Sequence, residues 1–161
     1  MGIEENKEVV RRHIDTMSDC VKIASEPESI YKRLSEFVSS DYVLHTAGGD
    51  MNLEQDVQFH SQVWTAFPDT HYQLEDIFGA DDKVFARFTV TCTHKGTYRG
   101  IPLTGKQLNY ASADCIKLKD GKISDVWGFT DMLEIYRQLG VITSMRKIIE
   151  KYNENLSGKG A

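Results

Sequence analysis

The sequence has few of the residues that build disulfide or metal frameworks and no long apolar run. It holds only three cysteines in 161 residues, without the paired spacing of a disulfide or zinc framework, so they are expected to be buried thiols in a reducing compartment. It shows no apolar signal region, and no run approaches the length of a membrane span. These absences predict a cytoplasmic protein without a membrane partner.

Several motifs of common enzyme classes are also missing. No His-x-x-x-His or Cys-x-x-Cys pair is present, so no metal is expected. Gly96, Gly100 and Gly105 do not have the spacing of a dinucleotide fingerprint, and no Gly-x-Ser-x-Gly elbow of a serine hydrolase occurs. A formal charge of −5 argues against nucleic acid or an anionic membrane as partner. The sequence therefore predicts a protein without a cofactor.

The first third of the chain is typical of helices. Residues 4–24 place apolar side chains on one stripe, which predicts a long helix. A second helix should start at Pro27 and carry its apolar face as far as Val38, with Ser39–Asp41 ending it. After a short strand at 42–46 and a loop at 47–50, a third helix is predicted at about 53–67.

From His71 onwards the hydrophobic pattern changes to a period of two. It predicts strands at 71–78, 83–94, 107–118 and 121–130, joined by short turns. The second of these alternates most regularly, with one face formed by Val84, Ala86, Phe88, Val90, Cys92 and His94. A helix should cover about 132–139, with Gly140 at its end, and an extra C-terminal helix should cover about 142–156.

This order of elements predicts an α+β fold in a single domain, residues 1–161. Helices would lie on one face of a curved antiparallel sheet. The long helix 4–24 would cover the concave side as a lid, and the space below it would be either packed or left as a central pocket.

The last strand brings a carboxylate to the start of a helix. Asp131 follows Trp127 and Phe129, and an apolar wall raises the pKa of a carboxylic acid toward neutrality, which suits proton transfer. A second interpretation needs no chemistry, because Asp131 with Glu134 also fits a helix capping box.

Other polar residues are candidates for the same site. His45 would line a pocket or be a satisfied strand histidine, and His60 would be a pocket donor or lie at the edge of the core. His94 ends a strand, where a turn-stabilising role is the alternative to catalysis. Asp114 must be paired or functional if it is buried and is a solvated charge if it points outward, and strand parity does not decide between the two.

Aromatic residues supply the surface for core packing or for a flat or acyl ligand. With His94, these candidate substrate-binding residues are Trp64, Phe67, Phe88, Tyr110, Trp127 and Phe129.

Three segments resemble a known family. Thr93–Lys106, Asp120–Asp131 with its Trp-x-x-x-Asp spacing running on to Gly140, and Ala66–Asp69 are similar to motifs of the SnoaL-like polyketide cyclases. The resemblance spans about 37–140. It implies an NTF2-like fold, a cone-shaped sheet wrapped around N-terminal helices with a deep hydrophobic pocket.

The resemblance also implies an activity. Characterised members close a polyketide methyl ester by a cofactor-free intramolecular aldol reaction, and their acid/base aspartate corresponds to Asp131. Cyclising members pair it with a histidine from a nearby strand, whereas the strand 107–118 contains none and offers Asn109, Tyr110 and Asp114. The family also implies a homodimer or a higher homo-oligomer.

Two functions from different classes remain open at this point. The first is a cofactor-independent enzyme that cyclises, isomerises or hydrolyses a small hydrophobic carbonyl or ester compound, with Asp131 as acid/base and His45, His60 or Asp114 orienting the substrate. The second is a non-catalytic protein that binds such a compound.

Overall fold

The computed structural model describes residues 2–142 and 145–157. Helices precede and follow a run of strands, which confirms the predicted α+β class. In chain order the elements are α1 (Ile3–Cys20), a 3-10 turn (Val21–Ile23), α2 (Pro27–Leu34), β1 (Val38–Thr46), β2 (Gly49–Met51), α3 (Leu53–Ala66), β3 (His71–Ala80), β4 (Lys83–Thr93), β5 (Gln107–Lys119), β6 (Lys122–Thr130), α4 (Met132–Leu139) and α5 (Met145–Ser157).

The six strands form one curved sheet that does not close. Their order is β2-β1-β6-β5-β4-β3. Neighbours in the β3–β6 half pair antiparallel and follow one another in the chain, as short turns require. Helix α1 packs against β3 and β4, while α3 packs against α2, β1 and β2. The helices and the concave face of the sheet therefore enclose the core between them.

The regular alternation of β4 places its apolar side chains in this core. Val84, Ala86, Phe88, Val90 and Cys92 are all at most 6 % exposed, and the residues between them are partly or fully exposed. The face predicted from the period of two is therefore confirmed. Residues that pair directly across neighbouring strands share a face, so β4 identifies the inward-facing residues of β3, β5 and β6 as well.

The second helix is shorter than the sequence indicates. It ends at Leu34, and residues 38–41, which were predicted to complete the helix and end it, belong to β1. The predicted boundary is wrong because pairing with β6 captures this segment. The Ile123 amide donates to the Phe37 carbonyl at 2.9 Å, and Val38 is the first residue of β1 to pair with Ile123. Tertiary hydrogen bonding thus overrides the local helical pattern.

Two features of the sheet also differ from the sequence prediction. Residues 47–50 are not wholly a loop, because Gly49 and Asp50 begin β2 and pair back onto β1. Moreover, β1 runs parallel to β6, so the sheet is mixed rather than antiparallel throughout. The parallel pair is possible because α3 and the strands β3–β5 lie between β1 and β6 in the chain and supply the long connection.

The two C-terminal helices differ in how they are attached. α4 packs against β5 and ends at Gly140, whose φ of 86° is the left-handed cap predicted for that position. α5 presents exposed apolar side chains at Ile148, Ile149 and Tyr152. Residues 143 and 144, within the predicted last helix, lie outside the described residues. Across the described ranges no helix has the length and apolar character needed to cross a membrane.

The junction between α3 and β4 yields a stability prediction. The amides of Lys95 and Gly96 donate to the Ala66 carbonyl at 2.9 and 3.0 Å. A Cβ added at Gly96 would lie 2.9 Å from the Ala66 Cα and 3.0 Å from the Thr65 carbonyl oxygen. Because backbone atoms cannot move aside, Gly96→Ala should lower the free energy of unfolding by about 1–3 kcal/mol, measured by urea denaturation.

The control for this substitution is Gly48→Ala. A Cβ there would meet only the Thr46 hydroxyl, at 3.6 Å, so the stability should stay within about 0.5 kcal/mol of the parent. Equal stabilities of the two variants would contradict the close approach of Gly96 to the end of α3.

Candidate active site

Helix α3 directs three residues, spaced four apart, toward the sheet. Asp56, His60 and Trp64 lie on one side of the helix because a spacing of four residues is close to one turn. Asp56 is 6 % exposed and Trp64 is fully buried, while the His60 side chain keeps 19 % of its surface accessible. The capped start of the helix, where Asn52 and Gln55 exchange side-chain hydrogen bonds, fixes the orientation of this side.

Both oxygens of the buried Asp56 carboxylate have side-chain hydrogen-bond partners. Its Oδ1 lies 2.6 Å from the His60 Nδ1, and its Oδ2 accepts a 2.8 Å hydrogen bond from the Tyr42 hydroxyl. Burial would raise the pKa of Asp56, but the interactions with His60 and Tyr42 outweigh it and lower that pKa. Burial likewise opposes the charged form of His60, yet Asp56 raises the pKa of the imidazole above its ordinary value. The two groups therefore favour an ion pair.

A second carboxylate faces this pair from the sheet. Asp114 on β5 pairs with Ala86 on one side and Gly128 on the other, and the burial of Ala86 places Asp114 on the inner face. A Cβ at Gly128 would lie only 3.4 Å from the Asp114 Oδ1, so the carboxyl group lies over this glycine. The absence of a side chain at 128 leaves the space that the carboxyl group occupies.

Asp114 differs from Asp56 because nothing in the described part of the chain forms a hydrogen bond with its carboxyl group. Burial raises the pKa of Asp114 to about 7, with the charge of His60 lowering it and that of Asp56 raising it further. The residue still keeps partial solvent exposure. An enclosed carboxyl group that titrates near neutrality and is reachable by water is suited to accept and return a proton.

We call Tyr42, Asp56, His60 and Asp114 the inner polar site. His60 and Asp114 are among the candidates predicted from the sequence, whereas Tyr42 and Asp56 are not. The i, i+4 spacing of Asp56 and His60 was the available signal for one of them. His13 of α1 interacts with the charges of this site. Burial lowers the pKa of His13 to about 4; the charge of Asp56 raises this pKa, and the charge of His60 lowers it further.

Asp131 lies outside this site. It is the exposed N-cap of α4, and its Oδ1 accepts a 3.0 Å hydrogen bond from the Glu134 amide. The prediction that Asp131 faces a hydrophobic pocket is therefore wrong, and the alternative N-cap interpretation is confirmed. Only half of the predicted capping box forms, because the Glu134 carboxylate binds Arg137 and Gln138 instead. The helix start provides amide donors that hold the aspartate at the surface.

His45, Trp127 and Phe129 lie on the outer face of the sheet. The His45 and Trp127 rings stack with centroids 4.8 Å apart, and His45 lies between Asp50 at 2.9 Å and Asp125 at 3.3 Å. The hydrogen bond that the His45 ring donates to Asp50 is the main cause that raises the pKa of His45. Phe129 is 62 % exposed. Because successive side chains alternate between faces, these residues cannot meet Asp114, and the prediction that they share a pocket with it is wrong.

The remaining aromatic candidates belong mainly to the core. Trp64, Phe67 and Phe88 are at most 5 % exposed, which matches the core-packing alternative. Phe67 stacks on the fully buried His94 at 5.0 Å, and His94 pairs through its backbone with the loop residues Gly105 and Lys106. Tyr110, partly exposed on the inner face of β5, lies on the same surface as Asp114.

Two surface cavities are present elsewhere. One of about 400 Å³ lies between α1 and α2 beside Arg12, Arg33 and Phe37, and one of about 260 Å³ borders Asn6 and Asp120. Neither includes a residue of the inner polar site, so the central pocket stays a prediction. Within residues 2–142 and 145–157, no group of three or more His, Cys, Asp or Glu side chains is placed to hold a metal ion.

The raised pKa of Asp114 predicts how stability depends on pH. Between about 4, the ordinary value of an aspartate, and about 7, the folded protein binds more protons than the unfolded chain. Its free energy of unfolding should therefore fall as the pH rises through this window. Asp114→Asn cannot titrate, so the variant should gain stability relative to the parent between pH 5 and 8 in urea denaturation.

Asp69→Asn is the control. Hydrogen bonds from Thr93 and Lys95 outweigh burial and lower the pKa of Asp69 to about 2, so its difference from the parent should be constant over the same range. A constant difference for Asp114→Asn as well would contradict the raised pKa.

The sequence and the fold are both similar to those of known proteins. The family model of the SnoaL-like polyketide cyclases matches residues 11–139. No curated protein matches the sequence. Among solved structures, AclR from Streptomyces galilaeus, a proposed hydroxylase, superposes with a TM-score of 0.75 at 21 % identity, covering 88 % of this chain and 99 % of its own.

Two further structures carry the family name. A proposed SnoaL-like polyketide cyclase from Jannaschia sp. CCS1 has a TM-score of 0.73 at 19 % identity and covers 85 % of this chain and 92 % of its own. A SnoaL-like polyketide cyclase from Agrobacterium tumefaciens has a TM-score of 0.65 at 19 % identity, with coverages of 86 % and 99 %. These neighbours establish the NTF2-like fold, and the family match supports a cyclase-like role. The chain belongs to the SnoaL-like polyketide cyclase family.

Proposed function

We propose that the protein is a cofactor-independent enzyme that moves a proton next to a carbonyl group of a small hydrophobic ketone or ester, with Asp114 as its acid/base. The supporting observation is the Asp114 carboxyl group itself. It lies partly buried on the inner face without a hydrogen bond from the described residues, and burial raises its pKa to about 7. A group with this pKa is present in both protonation states at neutral pH, which is the condition for efficient proton transfer in both directions.

The neighbouring ion pair has a distinct role in this proposal. His60 is held through its Nδ1 by Asp56, and Asp56 is held by Tyr42. Since Asp56 raises the pKa of His60, the imidazolium supplies positive charge beside Asp114. This charge stabilises the enolate that forms when Asp114 removes the proton, and the fixed hydrogen bonds mean that little reorganisation is needed.

An aldol cyclisation follows from these two roles with atoms in balance. The proton leaves the carbon next to one carbonyl group and goes to Asp114. The resulting enolate carbon forms a bond to a second carbonyl carbon of the same molecule. The alkoxide oxygen then takes the proton back from Asp114, so the product is an isomer of the substrate and no external reactant is consumed.

The proposal differs from the family pattern in the residue that carries the chemistry. The resemblance assigned this role to Asp131, which caps α4 at the surface. His45, a further catalytic candidate, lies with Trp127 on the outer face. A homodimer and a cytoplasmic location remain part of the proposal from the sequence.

Hydrogen exchange into a simple ketone tests the proposed reaction. The protein is incubated in D₂O with a panel of aryl methyl ketones, and deuterium incorporation next to the carbonyl is followed by NMR. Asp114→Asn should slow the protein-dependent exchange by about 10²–10⁴-fold, the usual cost of losing a general acid/base.

Asp131→Asn is the matched control and should remain within a few-fold of the parent. Equal exchange rates for the parent and Asp114→Asn would remove Asp114 from the mechanism. A parent protein that binds the ketones but does not accelerate exchange would instead support the alternative function, a non-catalytic small-molecule-binding protein.

A further inference from the structure

The Trp64 indole makes a hydrogen bond that leaves a tyrosine proton free. Its Nε1 lies 2.9 Å from the Tyr72 hydroxyl oxygen. An indole N–H can only donate, so the Tyr72 oxygen is the acceptor and its own proton remains available. In the described ranges, no acceptor lies within hydrogen-bond distance of that proton. The Tyr72 hydroxyl is therefore held in position by Trp64 but has no acceptor for its own proton among the described residues.

Tyr72 belongs to the same inner surface as Asp114. It pairs across β3 and β4 with Val90, which pairs in turn with Tyr110 on β5. Val90 is 1 % exposed, so all three residues face inward, whereas Tyr72 and Tyr110 keep part of their surface accessible. Tyr72 therefore keeps some accessible surface on the side of the sheet that carries Asp114.

The helix connects this donor to the inner polar site. His60 and Trp64 are one turn apart on α3, with ring centroids separated by 5.2 Å. Burial is the first cause that raises the pKa of Tyr72, and the charges of Asp114 and Asp56 add to it. The hydroxyl therefore stays protonated at neutral pH. Both carboxylates lie close enough to affect its pKa.

We infer that Tyr72 donates its hydroxyl proton in a hydrogen bond to the carbonyl oxygen of the ligand and so binds the enolate oxygen during the reaction. This inference rests on the proposed function. The Trp64 N–H polarises the hydroxyl by donating to its oxygen, and hydrogen bonds in such chains strengthen one another. The ligand would be a compound whose oxygen gains negative charge, and a phenolate is its stable mimic.

Substituted phenols of graded acidity, nitro- and fluorophenols, provide the probe. Absorbance reports both the dissociation constant and the ionised fraction of the bound phenol, and hence its bound pKa. Tyr72→Phe should weaken phenolate binding by about 10- to 100-fold, the range for a hydrogen bond to a charged group. It should also raise the bound phenol's pKa, which a loss of packing alone would not do.

Tyr31→Phe removes a hydroxyl from an exposed tyrosine and should change neither quantity. If Tyr72→Phe does not fold, 3-fluorotyrosine at position 72 keeps the shape of the side chain and makes the hydroxyl a stronger donor. It should tighten phenolate binding and lower the bound pKa.

Each outcome separates the two proposals. Identical affinities and bound pKa values for the parent, Tyr72→Phe and Tyr31→Phe would overturn the inference, as would a parent protein that binds none of the phenols. If Tyr72→Phe weakens phenol binding while Asp114→Asn leaves the rate of ketone exchange unchanged, the inference is supported and only the proposed function is rejected. Asp114-dependent exchange with a Tyr72-independent affinity would reject the inference alone.

Discussion

The buried Asp56 carboxylate is the constraint on which the interior depends. An ionised group in this position is tolerated only with partners, and it has two, the His60 ring on its own helix and the Tyr42 hydroxyl on β1. The bonds fix helix α3 to the sheet at one register. They also fix the charge that Asp114 experiences. Removing either partner would leave a buried carboxylate only partly satisfied, which is why this small polar group influences both the fold and the proposed chemistry.

The inner and outer faces of the sheet have different roles in this account. Asp114, Tyr110 and Tyr72 face the helices, where burial perturbs the pKa of each. His45 and Trp127 face outward, where the histidine is already satisfied by two carboxylates. A group with all its hydrogen bonds made by the protein has little left to offer a ligand. Among the described residues, the Asp114 carboxyl group and the Tyr72 hydroxyl proton lack a hydrogen-bond partner, and both belong to the inner face.

Much of the fold could be predicted from the local pattern of apolar residues, because an element buried on one face repeats its apolar residues with the period of a helix or a strand. The β4 alternation, the Asn52 cap of α3 and the Gly140 cap of α4 are examples. The parallel pairing of β1 with β6 could not be predicted, since it joins segments about 80 residues apart through backbone hydrogen bonds. The face of Asp114 depends on which residue it pairs with in β4, and strand parity alone does not contain that information. Asp131 had two plausible roles in the sequence, and only its exposure distinguishes them.

The proposed reaction requires that Asp114 titrates near neutrality inside the folded protein. The most direct measurement is an NMR pH titration of the protein with ¹³C-labelled aspartate carboxyl groups, in which Asp114→Asn identifies the Asp114 resonance. The expected midpoint is at about pH 7. A midpoint at about 4, as in an unperturbed aspartate, would show that the carboxyl group is solvated as at an ordinary surface position and would contradict the assignment of Asp114 as acid/base.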